Sequence, residues 1–139
     1  METLLWNESL SVGCTEIDND HKKLVGLLNN LIVAVSENRG RDVVGKVLND
    51  LLSYTAWHFR HEERLMQTYR YEGLIAHKNE HAELIGHADS LRRQFQEKEV
   101  DITQEVIDFL KQWLTHHILE TDLHMGRFLE QKMGAGGKG

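Results

Sequence analysis

Apolar residues recur at three- and four-residue steps through four long segments of this chain, and no proline interrupts any of them. That spacing lines side chains along one face of an α-helix. The absence of proline lets each helix run without a break. The first segment carries Leu24, Leu28, Leu31 and Val35, with Asp18 or Asn19 as its N-cap, and stops at Asn38-Arg39-Gly40. The second carries Val44, Val47, Leu51, Thr55, His58, Glu62, Leu65 and Tyr69, and turns at Tyr71-Glu72-Gly73. The third carries His77, His81, Leu84, Ala88, Leu91 and Phe95, and closes at Glu97-Lys98-Glu99. The fourth opens at Thr103 and carries Val106, Leu110, Trp113, His117 and Phe128. Helices of this kind are about 30–45 Å long. Short connections make neighbours antiparallel, so the expected fold is all-α, an up-down-up-down four-helix bundle. Residues 1–17 read as an extended N-terminal arm anchored by Trp6, Val12 and Ile17, and residues 134–139 as a flexible Gly-rich tail. The whole of 1–139 reads as one domain.

Composition narrows the function. A net charge of −6 and a pI near 5.8 argue against a nucleic-acid partner. No run approaches a membrane span, and METLLWNESL lacks the apolar core of a secretory signal, so a cytoplasmic location is expected. Cys14 is the only cysteine, which excludes an intrachain disulfide.

The chain has 9 histidines, many for its length. Five of them, with two carboxylates, fall where four helices can aim them at one point: His21, His58, Glu62, His77, His81, His117 and Asp122. The pairs His58/Glu62 and His77/His81 are spaced i,i+4, which puts each pair on one helix face. Imidazole with carboxylate suits a first-row transition metal, and seven donors suit two bridged ions better than one. Asp122 is the discordant member. Five residues after His117, it lies about 140° around an α-helix from it. His61, His87 and His116 fall off the inward faces and are expected in solvent. His124 returns to within about 20° of His117. It is expected to pack in the core below the site, the alternative being a hydrogen bond to a group supporting a donor. Trp113, Phe109 and Phe128 read as core aromatics.

In order and spacing, these residues resemble the hemerythrin family, in its single-domain bacterial form. Gly13, Ile17, Asp18, His21 and Leu24 match its N-terminal signature, with Trp6 in the arm. His58, Phe59, Glu62 and Glu63 match HFxxEE, His77 and His81 match HxxxH, and Trp113, Leu114, His117, Ile118 and Asp122 match WLxxHIxxxD. The resemblance implies a non-haem di-iron centre with two iron ions. One would be held by His77, His81 and His117, the other by His21 and His58. Glu62, Asp122 and a solvent-derived oxo or hydroxo group would bridge them. It implies that O₂ binds the less-coordinated iron, against a pocket wall that includes Leu114. Three positions depart from the family's habit: Glu72 stands where proline is common, Leu123 where lysine is common, and Cys14 where cysteine is unusual. None is a donor.

Donor chemistry agrees. Imidazoles outnumber carboxylates five to two, whereas ferritin-like di-iron enzymes rely mainly on carboxylates. Neutral donors stabilise Fe(III) less, which favours reversible O₂ binding over O–O scission. No acid–base group stands out beyond the donors, so the chain is not expected to be an enzyme. The expected role is O₂ storage, transport or delivery. The expected partners are dioxygen and a protein that consumes it. An O₂, NO or redox sensor and a peroxidase- or ferroxidase-like catalyst are the alternatives. The first is disfavoured because no signalling domain accompanies the chain.

Overall fold

The computed structural model describes residues 3–97, 102 and 104–137. It is an all-helical four-helix bundle. Three rods are single helices: α1 (Thr15–Ser36), α2 (Arg41–Thr68) and α3 (Leu74–Gln96). The fourth joins α4 (Gln104–His116), a π-helical turn (His117–Asp122) and α5 (Leu123–Gly137) without a break. The rod thus runs helically into the stretch expected to be a flexible tail. The proposed cap Thr103 and the closing residues Lys98 and Glu99 lie outside the described residues. Among the described residues no helix is long and apolar enough to cross a membrane.

The expected stripes form the core. Leu24, Leu28, Leu31, Leu51 and Leu110 of those stripes are buried within it, joined by Leu48, Ile107, Met125 and Leu129, which the stripes did not include. Val106 and Trp113 are only partly buried, and the fully buried side chain of their turn is Ile107. Phe109 is a correction. It is 52% exposed, because the helix buries the adjoining face of Ile107 and Leu110 instead.

Neither Asp18 nor Asn19 caps α1, which starts earlier, at Thr15 after Cys14. Asp18 ties the arm down instead. Its carboxylate accepts from Val12 N at 2.8 Å and Ser11 Oγ at 2.6 Å. Asn29 holds the arm's beginning by a reciprocal pair with Leu4, 2.8 Å in each direction. The arm includes a 3₁₀ turn at Glu8–Leu10, and Ile17 already belongs to α1. Cys14 is buried, its Sγ 4.0 Å from Met133 Sδ.

The arm packs so closely on α5 that Gly126 has no room for a side chain. A Cβ there would lie 2.4 Å from Val12 O and 2.6 Å from Val12 Cβ. Backbone cannot yield as a flexible side chain does. Gly126→Ala should therefore lift the arm and cost about 1–3 kcal/mol. Thermal denaturation checks this; an unchanged midpoint would mean that the arm is not held against α5.

Candidate metal centre

The four rods bring all seven donor side chains to one level of the bundle. His21, His58, Glu62 and Asp122 are 0% exposed, His81 2%, and His77 and His117 4%. The donors divide into two groups that share both carboxylates. Glu62, His77, His81, His117 and Asp122 form one, and His21, His58, Glu62 and Asp122 the other; within each group the donor atoms lie within 4.8 Å of one another.

Each carboxylate gives one oxygen to each side. Glu62 Oε1 faces His81 Nε2 at 2.9 Å and His77 Nε2 at 3.4 Å, while its Oε2 faces His58 Nε2 at 3.2 Å. Asp122 Oδ1 faces His77 Nε2 at 3.0 Å and His117 Nε2 at 3.1 Å, while its Oδ2 lies 2.9 Å from His21 Nε2. The two carboxylates therefore separate a three-imidazole side from a two-imidazole side.

The donor atoms fit a cation. The Nε2 atoms of His58, His77, His81 and His117, both oxygens of Glu62, and Asp122 Oδ1 are buried without a hydrogen-bond partner. Buried polar atoms are rarely left so. Their distances are short, yet none of these atoms makes a hydrogen bond, and all lie gathered about a common space.

Electrostatics tells the same story. Burial alone would push the His58 imidazole down, yet Glu62, Asp20 and Asp122 hold it up at about 10. Burial likewise opposes a charge on His77, but Asp122 and Glu62 raise it to about 9. His21 and His117 are raised against burial by the same two carboxylates, with Glu80 assisting at His117. Burial would raise Glu62, but His58, His117 and His21 hold it well below the usual carboxylate range. Asp122 is lowered too: His117 and His21 outweigh both burial and the neighbouring charge of Glu62. Cations are what this pair of buried carboxylates requires.

A π turn brings Asp122 inward. Closing His117–Asp122 with i→i+5 bonds places residue i+5, Asp122, near the face of residue i, His117. The same turn corrects the expectation for His124, which is exposed, its ring 6.3 Å from that of Tyr71. One extra residue in the turn rotates everything after it by about 100°. Met125 and Leu129, at helical steps from Asp122, take the inward face.

A surrounding layer of acids was not legible as such. Asp20 Oδ2 accepts from His58 Nδ1 at 2.8 Å, Glu63 Oε2 from His81 Nδ1 at 2.9 Å, and Glu80 Oε1 from His117 Nδ1 at 3.2 Å. Carboxylates can only accept, so each Nδ1 carries the hydrogen and each Nε2 lone pair is left for the centre. Thr121, inside the π turn, donates to both oxygens of Glu80 at 2.9 and 2.8 Å. His61 is a further correction to the expected solvated histidines. It is only 18% exposed and shares Asp20 with His58, its Nδ1 2.5 Å from Asp20 Oδ2. His87 and His116 are exposed as expected. Phe59 stacks on His81, ring centroids 3.9 Å apart and planes within 5°.

The chain is similar to known proteins in sequence and in fold. The family described as "Hemerythrin HHE cation binding domain" matches residues 12–129. A bacteriohemerythrin of Stenotrophomonas maltophilia (strain R551-3) is 33% identical, over 98% of this chain and 93% of its own. Myohemerythrin-1 of Phascolopsis gouldii is 30% identical, over 87% of this chain and 90% of its own. The crystal structure of a wild-type hemerythrin superposes with a TM-score of 0.85 at 30% identity, covering 93% of this chain and 99% of that one. The chain belongs to the hemerythrin family, whose members bind dioxygen with non-haem iron.

Proposed function

We propose that this protein binds O₂ reversibly at a di-iron centre and serves to store, carry or deliver it. His77, His81 and His117 would hold one iron and His21 and His58 the other, with Glu62 and Asp122 offered to both. The observation that supports this most is the unequal division of imidazoles, three against two, about carboxylates that each offer one oxygen to either side. The two-histidine side is the one with coordination to spare. Iron bound there would supply the reversible redox chemistry needed to hold O₂.

The protein's own part is orientation and exclusion of water. Asp20, Glu63 and Glu80 fix three imidazoles in one tautomer. Phe59 fixes the plane of His81. The donors are buried among apolar side chains, which limits the entry of protons and water. The test is metal analysis with visible spectra under argon, then air, then argon again. Two irons per chain and an absorption band that appears in air and disappears under argon are expected. About one metal per chain, or a band that never reverses, would contradict the proposal.

Leu114 is assigned the wall of the O₂ pocket. It lies one turn before His117 and is 3% exposed within the apolar core. An apolar wall disfavours the charge separation that accompanies oxidative loss of O₂. Leu114→Ala opens a cavity, and Leu114→Asn adds a group that attracts water to it. Both should shorten the lifetime of the oxygenated form without reducing metal content, the Asn variant more. Equal lifetimes in all three proteins would remove Leu114 from the pocket.

A further inference from the structure

We propose that the cavity between the second half of α2 and the start of α3 binds a small anion bearing phosphate or carboxylate groups. The cavity is about 360 Å³, a volume suited to a small molecule. Its walls carry Trp57, Arg60, Glu63, Arg64 and Lys78. Trp57, Arg60 and Arg64 follow at i, i+3 and i+7, so they form one stripe on the outer face of α2. Lys78 meets them from the second turn of α3.

The three cations share one concavity and are unanswered there. None has an ion pair or hydrogen bond among the described residues. The chain has 22 acidic residues against 16 basic ones, so acids are not scarce. Three cations on other surfaces do pair, Arg39 with Glu37, Lys46 with Asp50 and Arg92 with Asp89; what sets Arg60, Arg64 and Lys78 apart is that they line one cavity together. Only one acid lines the cavity, Glu63, and its Oε2 is engaged by His81 Nδ1 at 2.9 Å. Like charges gathered about one concavity repel, and an anion between them relieves that repulsion. Two guanidiniums present planar, paired donors that match phosphate and carboxylate oxygens. Trp57, 42% exposed, adds an apolar ring face that suits the carbon skeleton of an organic anion.

The site lies outside the seven donors, so it stands or falls separately from the di-iron reading. It is nevertheless close to the centre. Glu63 forms both a wall of the cavity and the acceptor for His81.

The test is calorimetric titration of the full chain with inorganic phosphate and, separately, with citrate, at constant ionic strength. Saturable binding at one site per chain is expected. Preference for phosphate identifies a phosphate-bearing ligand, and preference for citrate a polycarboxylate. The double variant Arg60→Gln, Arg64→Gln should weaken the preferred probe by at least about tenfold. Lys78→Gln should weaken it several-fold. Lys46→Gln, a change to a cation on another surface, should leave it unaltered. Should the double variant fail to fold, Lys78→Gln decides. No saturable heat with either probe, or an affinity unmoved by the cavity variants, overturns the proposal.

Discussion

Glu62→Gln is expected to yield a folded protein that retains neither metal ion after iron-replete expression. The substitution keeps the shape of the side chain and removes one negative charge and one bridging oxygen. Glu62 is fully buried and presents its two oxygens to opposite sides of the cluster. Two dications brought together repel strongly, and in a low-dielectric interior the bridging charge is the main compensation. The amide would also aim N–H hydrogens at imidazole lone pairs or at a cation. Substitutions in the surrounding layer provide the scale. Asp20→Asn, Glu63→Gln and Glu80→Gln leave the donors in place and should weaken metal binding by about 10- to 100-fold. Metal per chain after dialysis against a graded chelator series checks the ranking. If Glu62→Gln holds metal as well as Glu80→Gln does, Glu62 does not bridge.

Asp20→Asn carries a further consequence. Asp20 accepts from both His58 and His61, on the side with two imidazoles. Loss there should fall on one metal before the other, whereas the partners of His81 and His117 act on the three-imidazole side.

The bundle was legible in the sequence because burial is periodic. Leu24, Leu28 and Leu31, and likewise Leu51, Thr55, His58 and Glu62, sit on the faces their spacing dictates. Helix starts were less legible. Asp18 has the chemistry of a cap, but its carboxylate is taken by Ser11 and Val12 of the arm, a contact that no local pattern encodes. Six donors likewise followed from α-helical geometry. The seventh, Asp122, was discordant on an ideal helical wheel and came only from family resemblance. The π turn that accommodates it is a change of helical repeat, and the wheel assumes a constant one. The same assumption placed His124 in the core. The supporting acids escaped for a different reason. Asp20 and Glu63 adjoin His21 and Glu62 in sequence, and side chains one residue apart point about 100° away from each other. On a wheel they read as solvated charges. They become partners only when a neighbouring helix supplies the imidazole.

Removal of the metals should leave a protein whose stability falls as pH rises through the neutral range, while the loaded protein behaves in the opposite way. In the metal-free fold the donors neutralise one another as imidazoliums against carboxylates. Folding holds His58 at about 10 and His77 at about 9. It also raises His21 and His117. The unfolded chain has histidine near 6.5. Stabilisation from these groups is therefore complete below about 6.5 and is lost as pH climbs towards 9 and 10. Glu62 and Asp122 are lowered by folding, so their contribution is present above about 4 and is lost in acid. The metal-free protein should be most stable between about pH 4.5 and 6.5. Metal needs the Nε2 lone pairs, so loading displaces protons and becomes more favourable with rising pH. The melting temperatures of the two forms should draw together near pH 5.5 and separate widely at pH 8.5. At pH 8.5 the metal-free fold must hold on His58 and His77 protons that the unfolded chain has already released, and only above about 9 to 10 do the two buried carboxylates lose these counter-charges as well. Paired thermal scans across this range decide the matter. A metal-free midpoint that stays level or rises between pH 6.5 and 9 would show that the imidazoles do not compensate Glu62 and Asp122.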